Sequence, residues 1–235
     1  MTAMPATQTL PMELYYWDTP NGFKISIALE ELAVPYAARF VNIGKGDQFK
    51  PEFLAISPNN RIPAIVDPEG PDGRPISIFE SGAILVYLGE KFGRLYGKSP
   101  RERVAVNEWL MWQVANVGPV FGHNNHFRRY AREQAPYALK RFGDETHRLY
   151  RVLNERLAGR DWIAGDYSIA DIAIFCWARN WTIRGVDIAE FPHVRAWHDR
   201  IAAHPAVQRG LALKAPVELD IINDEEARKV LFGQR

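Results

Sequence analysis

Apolar and polar positions change their spacing once along the 235-residue chain, near residue 93, and the change divides it. In the first part, short apolar runs alternate with helical spacing. Residues 13–17 predict a strand closed by the turn signal Thr19-Pro20-Asn21-Gly22, and 24–32 carry apolar side chains at helical intervals. Residues 36–41 predict a second strand after Pro35, and 49–56 a short helix. A third strand is expected over 63–66 and a fourth over 76–79, with the Gly- and Pro-rich turn 67–74 between them. A helix over 80–92, ended near Gly93, completes the order β-α-β-(α)-β-β-α, which implies a small α/β unit with a mixed sheet.

Beyond residue 98 the strand signal stops. A long helix is expected over 101–121, kinked or interrupted at Gly118-Pro119, and another over 137–157. Ser168 and Asp171 have the spacing of a capping box, opening an apolar helix that runs to Trp177 or further. Residues 192–203 form an amphipathic helix. The expected domains are a flexible tail over 1–11, an α/β domain over 12–93, and an all-helical domain over 100–235 that includes a C-terminal tail.

The stretch 57–85 carries the most chemistry. Pro63 cannot donate a ladder hydrogen bond, so it belongs at a strand start and is a candidate for a cis bond. The residue before it, Ile62, is driven into an extended conformation and offers its own N–H and C=O. Glu80 and Ser81 stand where a helix N-terminus presents N–H groups without intrahelical partners, a place that favours an anion. Together these features imply a pocket that grips a short peptide by its backbone and its carboxylate.

Composition narrows the field. The formal net charge of +1 gives no basic excess, so nucleic acid is a poor partner, and the cluster Arg128, Arg129 and Arg132 reads as a solvated helix face. No apolar run approaches the ~20 residues of a membrane span. The first residues have neither the basic nor the apolar region of a secretory signal, so a soluble, cytoplasmic protein is expected. Cys176, the one cysteine, sits in an apolar run and reads as a buried structural thiol, which excludes a Cys-x-x-Cys pair. His123 and His126 lack the further ligands a metal site needs, so no metal is expected. Asp171 reads as the partner of the Ser168 cap, Trp109 and Trp112 as core, and Tyr15 and Tyr16 as packing residues on opposite faces of the first strand.

An α/β half with a proline opening its third strand, joined to a helical half with that capping box, resembles the cytosolic glutathione transferases from Glu13 to about Leu213. The segments Thr-Pro-Asn-Gly at 19–22, Gly-Lys-Gly-Asp-Gln-Phe at 44–49 and Ser-Pro-Asn-Asn-Arg-Ile-Pro-Ala-Ile-Val-Asp at 57–67 are most like the nu class. That class comprises bacterial glutathione-dependent disulfide-bond reductases. Phe-Glu-Ser-Gly-Ala-Ile-Leu at 79–85 and Pro-Tyr-Ala-Leu-Lys-Arg at 136–141 complete the set.

The resemblance implies a thioredoxin-like first domain, an all-α second domain and a homodimer. It implies glutathione, reduced or as its disulfide, as co-substrate, with a small disulfide or electrophile as the other partner. Thr19 Oγ and the Asn21 amide are then the groups expected at the glutathione sulfur, because the turn offers no base or reactive thiol. Ile62, ahead of Pro63, pairs with the cysteinyl unit; Glu80 meets the ligand ammonium, and Ser81 its γ-glutamyl carboxylate. Gln48 and Arg61 match residues of the ligand groove, and Arg141 an arginine for the glycyl carboxylate. Glu108 matches a contact to a ligand held by the partner subunit, at a position where the class carries glutamine. The implied activity is reduction of small disulfides by thiol–disulfide exchange, with weak transferase and peroxidase side activities. A non-catalytic glutathione-binding or regulatory protein, and a lyase or isomerase acting on a glutathione adduct, are the alternatives.

Overall fold

The computed structural model describes residues 9–233, which form two compact units. The first runs to Gly93 and takes up the chain again from Pro205; the second is Arg94–His204. Most of the expected tail over 1–11 lies outside the described residues. Its last part is tied down: the Thr9 N–H donates to the Glu69 carboxylate at 2.9 Å.

The first unit is built on a mixed four-stranded sheet. Its strands are β1 (Met12–Tyr16), β2 (Tyr36–Phe40), β3 (Ala64–Asp67) and β4 (Ile76–Phe79), in the order β2-β1-β3-β4. β2 runs parallel to β1, while β3 is antiparallel to both β1 and β4. Alternation along β1 buries Met12, Leu14 and Tyr16 completely and leaves Glu13 and Tyr15 half-buried on the other face. The register pairs Leu14 with Ile65 and Tyr15 with Ala64, so the two faces stay distinct across the sheet. On the second face, Tyr15, Ile56 and Ile62 pack around Val41, Phe53 and Ala64.

Helix α1 spans Pro20–Leu32, starting four residues earlier than the periodicity predicts. Thr19 is extended and its side chain caps the helix by accepting from the Gly22 N–H. Pro20 at the first helical position fits the same start, since its missing N–H is one that has no intrahelical partner there. The Thr-Pro-Asn-Gly signal is therefore a helix entry rather than a free turn. Helix α2 is short (Pro51–Leu54), and α3 occupies Ser81–Phe92.

The second unit holds α4 (Pro100–Trp112), α5 (Gly118–Asn125), α6 (Pro136–Leu157), α7 (Ile169–Ala178) and α8 (Pro192–Ala202). The expected interruption near Gly118-Pro119 is a π-helical turn over Gln113–Val117, immediately before the proline. The Ser168–Asp171 capping box is present. The completely buried Asp171 carboxylate also accepts from the Ile163 N–H at 3.0 Å and the Trp197 indole at 2.9 Å. Burial nonetheless pushes the Asp171 carboxyl up to about 6.

Two helices lack a counterpart in the expectation: α9 (Pro205–Ala212) and α10 (Glu225–Phe232). They belong with the sheet unit, whereas the sequence reading assigned them to the helical half. Gly210 explains the placement of α9, because a Cβ there would stand 2.7 Å from the Ile27 backbone, so only glycine lets the two helices approach this closely. The contact is fixed by Ser26, whose Oγ donates to the Gly210 carbonyl at 2.8 Å, and by an Arg209–Glu30 ion pair at 2.6 Å.

The far end of β3 is anchored by Asp67. Its buried carboxylate accepts from Lys91 Nζ at 2.6 Å, from the Glu69 N–H at 2.9 Å and from the Tyr87 hydroxyl, which ties β3 to α3. Burial alone raises its pKa, but these donors outweigh it and hold the carboxyl below the usual aspartate range. Asp67→Asn leaves Lys91 with a buried charge and a neutral partner, and is expected to cost about 3 kcal/mol near neutral pH. The folded-state pKa is depressed, so this stabilisation is complete above about pH 4 and fades as the pH falls through the folded value. Denaturant titrations of the two proteins should therefore converge on acidification; a constant gap would contradict the assignment.

Candidate active site

A cavity of about 240 Å³ opens in the sheet unit where the chain enters β3 and leaves β4. One wall is the segment before β3. Ser57 is fully buried, and its hydroxyl donates to the Arg61 carbonyl at 2.9 Å, closing the loop Pro58–Asn60 beneath it. The Ile62–Pro63 peptide is cis. Ile62 is half-buried, and its backbone precedes the first β3 residue paired with β1 and β4, Ala64. Arg61 is exposed and donates to the Asn60 side-chain oxygen at 2.9 Å.

The opposite wall is the start of α3. No side chain caps this helix. The Glu80 carbonyl accepts the first intrahelical bond, from Ile84 at 2.9 Å, so the N–H groups of Ser81, Gly82 and Ala83 have no carbonyl of their own helix to meet. Glu80 itself has φ +68° and ψ +114°, a conformation that costs a non-glycine residue about 1–3 kcal/mol. Its carboxylate is exposed and accepts from Asn59 at 3.4 Å. Ser81 is 8% exposed and faces the cavity, and Phe79 adds an apolar edge.

The third side is the entry to α1. Asn21 lines the cavity; Thr19 does not, but stands two residues away as the cap. The Thr19 Oγ accepts the Gly22 N–H at 3.1 Å through a lone pair, which leaves its own proton to donate. The adjoining tyrosines offer no alternative. Tyr15 is pushed up by burial and then by Glu13, to which it donates at 3.1 Å, and the Tyr16 hydroxyl donates to the Leu213 carbonyl at 3.1 Å.

The cavity thus brings together Asn21, Arg61, Ile62, Pro63, Glu80 and Ser81 of the residues singled out in the sequence. Gln48 is not among its lining residues. It is buried in the loop after β2, donating to the Ile43 carbonyl at 3.1 Å, and its Oε1 meets no partner among the described residues. Glu108 and Arg141 belong to the helical unit. Glu108 is exposed on α4, and Arg141 is exposed on α6, 4.0 Å from Glu145. Cys176 is completely buried within α7. Among the described residues no group of three His, Cys, Asp or Glu side chains is placed to hold a metal, and no helix is long and apolar enough to cross a membrane.

Sequence reasoning overlooked three contributors. Ser57 and Phe79 lie in the segments 57–67 and 79–85, and both line the cavity. Lys24 was the larger omission. Although charged, it is 2% exposed, and its Nζ donates to Ser81 Oγ at 3.1 Å. The available signal was a lysine inside Phe23–Leu29, a run buried from end to end.

A mixed four-stranded sheet whose third strand follows a cis-proline, beside an uncapped helix start, is a thioredoxin-like domain. The chain matches the family models for the glutathione S-transferase N-terminal domain over residues 19–91 and C-terminal domain over residues 119–205. It belongs to the glutathione S-transferase family. It is 51% identical over 206 residues to the disulfide-bond oxidoreductase YfcG of Escherichia coli, spanning 87% of this chain and 95% of that protein. Among solved structures, a Pseudomonas fluorescens family member with two glutathiones bound superposes with a TM-score of 0.81 at 44% identity, covering 85% of this chain and 92% of the other. A Pseudomonas putida glutathione transferase with one glutathione disulfide per subunit gives 0.84 at 42%, covering 90% and 95%.

Glu80→Gly removes the Cβ that opposes the observed backbone, so it is expected to raise the unfolding free energy by about 1 kcal/mol net of the entropy glycine adds to the unfolded chain. Glu80→Ala keeps the strain and should bring no such gain. Equal effects in chemical denaturation would show that the Glu80 conformation is unstrained.

Proposed function

We propose that this protein is an oxidoreductase that reduces small disulfides with glutathione by thiol–disulfide exchange. One observation carries the reading: the Ile62–Pro63 segment leading into β3 and the uncapped start of α3 face a single cavity. A γ-glutamyl peptide needs both. The identity to a disulfide-bond oxidoreductase, and the glutathione or glutathione disulfide bound by the Pseudomonas relatives, support it further.

In this reading the Ile62 N–H and C=O pair with the cysteinyl unit of the substrate as an added strand. Pro63 closes that wall. Ser81 and the first N–H groups of α3 take the γ-glutamyl carboxylate, and Glu80 takes the neighbouring ammonium. Arg61 serves the groove along the rest of the peptide, while the buried Gln48 shapes the loop after β2 rather than lining the cavity. The substrate thiol is then directed to the entry of α1, where the Thr19 hydroxyl and the Asn21 amide donate to its sulfur. A thiol with an ordinary pKa near ~8.5 is mostly protonated at neutral pH; these donors and the positive end of α1 favour the thiolate.

The reaction needs no cysteine of the protein. The glutathione thiolate attacks one sulfur of the substrate disulfide, forming a mixed disulfide and expelling the other sulfur as a thiolate that takes up a proton. A second glutathione thiolate attacks the glutathione sulfur of the mixed disulfide, releasing glutathione disulfide and the remaining substrate thiol. Two glutathiones lose two electrons in total, and the substrate disulfide gains them.

Steady-state reduction of hydroxyethyl disulfide by glutathione tests this account. Cys176→Ala is expected to retain full turnover, and its loss in a folded variant would overturn the borrowed-thiol mechanism. Thr19→Ala should lower kcat about 10- to 100-fold with a smaller change in KM for glutathione, while Thr19→Ser, which keeps donor and cap, should stay within about threefold. Saturable glutathione binding with no turnover by the unmodified protein would leave a carrier and refute the enzymatic reading.

A further inference from the structure

Lys24 has no role in the chemistry above, yet it is the least expected charge in the sheet unit. It lies on α1 among the buried side chains Phe23, Ile25 and Ile27, and is itself 2% exposed. An ammonium removed from water loses several kcal/mol of hydration, which its contacts in the fold must offset. Its Nζ stands 3.1 Å from Ser81 Oγ, across from the cavity that Ser81 lines.

Donor and acceptor chemistry fixes the sense of this contact. An ammonium has three donors and no acceptor, so Ser81 Oγ must accept from it. The serine proton is thereby turned away from Lys24 and kept for a second partner. On the cavity side that partner meets the α3 N-terminus, whose N–H groups at 81–83 also favour an anion. Positive potential reaches the same point from α1 and from α3, with the Ser81 oxygen between them.

We propose that Lys24 is the positioning residue of the carboxylate seat: it holds Ser81 as a donor and lends a buried positive charge that makes the seat selective for an anionic carboxylate. The inference deepens the glutathione reading and rests on it. Its ligand chemistry is the free α-carboxylate of the γ-glutamyl residue. A peptide identical except at that group is rejected, because it offers no anion to the Ser81 hydroxyl and the helix end.

The test is calorimetric titration with glutathione and with γ-aminobutyryl-cysteinyl-glycine, which lacks only that carboxylate. The unmodified protein is expected to bind glutathione about 100-fold more tightly than the analogue. Lys24→Met should weaken glutathione 10-fold or more and leave the analogue unchanged, so the discrimination collapses, whereas a merely structural role would weaken both ligands alike. Ser81→Ala and Lys24→Met together should cost less than their separate effects multiplied, since one acts through the other. In turnover, Lys24→Met should raise KM for glutathione with kcat within about twofold. Where Lys24→Met does not fold by circular dichroism, Lys24→Gln, uncharged but still a donor, takes its place with the same expectations. Unchanged discrimination in a folded variant overturns the proposal, and so does equal affinity of the unmodified protein for both peptides. Failure of the unmodified protein to bind glutathione at all would overturn the functional reading itself, and this inference with it.

Discussion

The open N-terminus of α3 is the constraint around which the sheet unit is arranged. A helix that begins without a side-chain cap leaves its first N–H groups to be met by something else. Here they begin directly after β4, at a residue held in a positive-φ conformation, so strand and helix meet in too few residues for a relaxed turn. The neighbouring loop is anchored separately, by the fully buried Ser57 hydroxyl on the Arg61 carbonyl. Peptide edge and helix end are thus fixed by different contacts and converge on one cavity. The walls of that cavity are therefore set by the fold itself.

Two lysines in this unit, Lys24 buried and Lys91 partly so, illustrate different uses of a cation. Lys91 reaches an ionised aspartate at 2.6 Å, and the pair joins the end of β3 to the end of α3. Lys24, on α1, donates to the Ser81 hydroxyl at the start of the same helix. The first arrangement meets a carboxylate, while the second meets a hydroxyl that lines the cavity. The two contacts fall at opposite ends of α3: Lys91 belongs to its last turn, and Lys24 reaches its first residue from α1.

Local pattern made much of this legible. The four strands lie within about a residue or two of their predicted limits, because apolar runs bounded by Pro and Gly leave few alternatives over so short a length. Ile62, Pro63, Glu80 and Ser81 could be named in advance, since a proline at a strand start and a carboxylate–hydroxyl pair at a helix start are backbone signals. Pattern misled where a residue served two purposes. Thr19-Pro20 reads equally as a turn and as a helix entry, and only the cap bond to Gly22 decides between them. Lys24 was hidden because a lysine is assumed to be solvated until the partner 57 positions away is seen. Helices α9 and α10 were missed, and their region was assigned to the wrong unit, because a docking glycine such as Gly210 has meaning only beside Ile27.

The return of the chain to its first unit bears on how the protein emerges from the ribosome. Helix α1 is buried on nearly every side, and one of its neighbours is α9, which is synthesised some 180 positions later: Ser26 and Gly210 are 184 residues apart. Until that helix is released, the nascent sheet unit carries an apolar flank with no cover. The intervening Arg94–His204 unit, contiguous in the chain, has all its helices available sooner. Translation therefore favours completion of the middle of this polypeptide before its beginning, with the sheet unit and its cavity among the last parts to close.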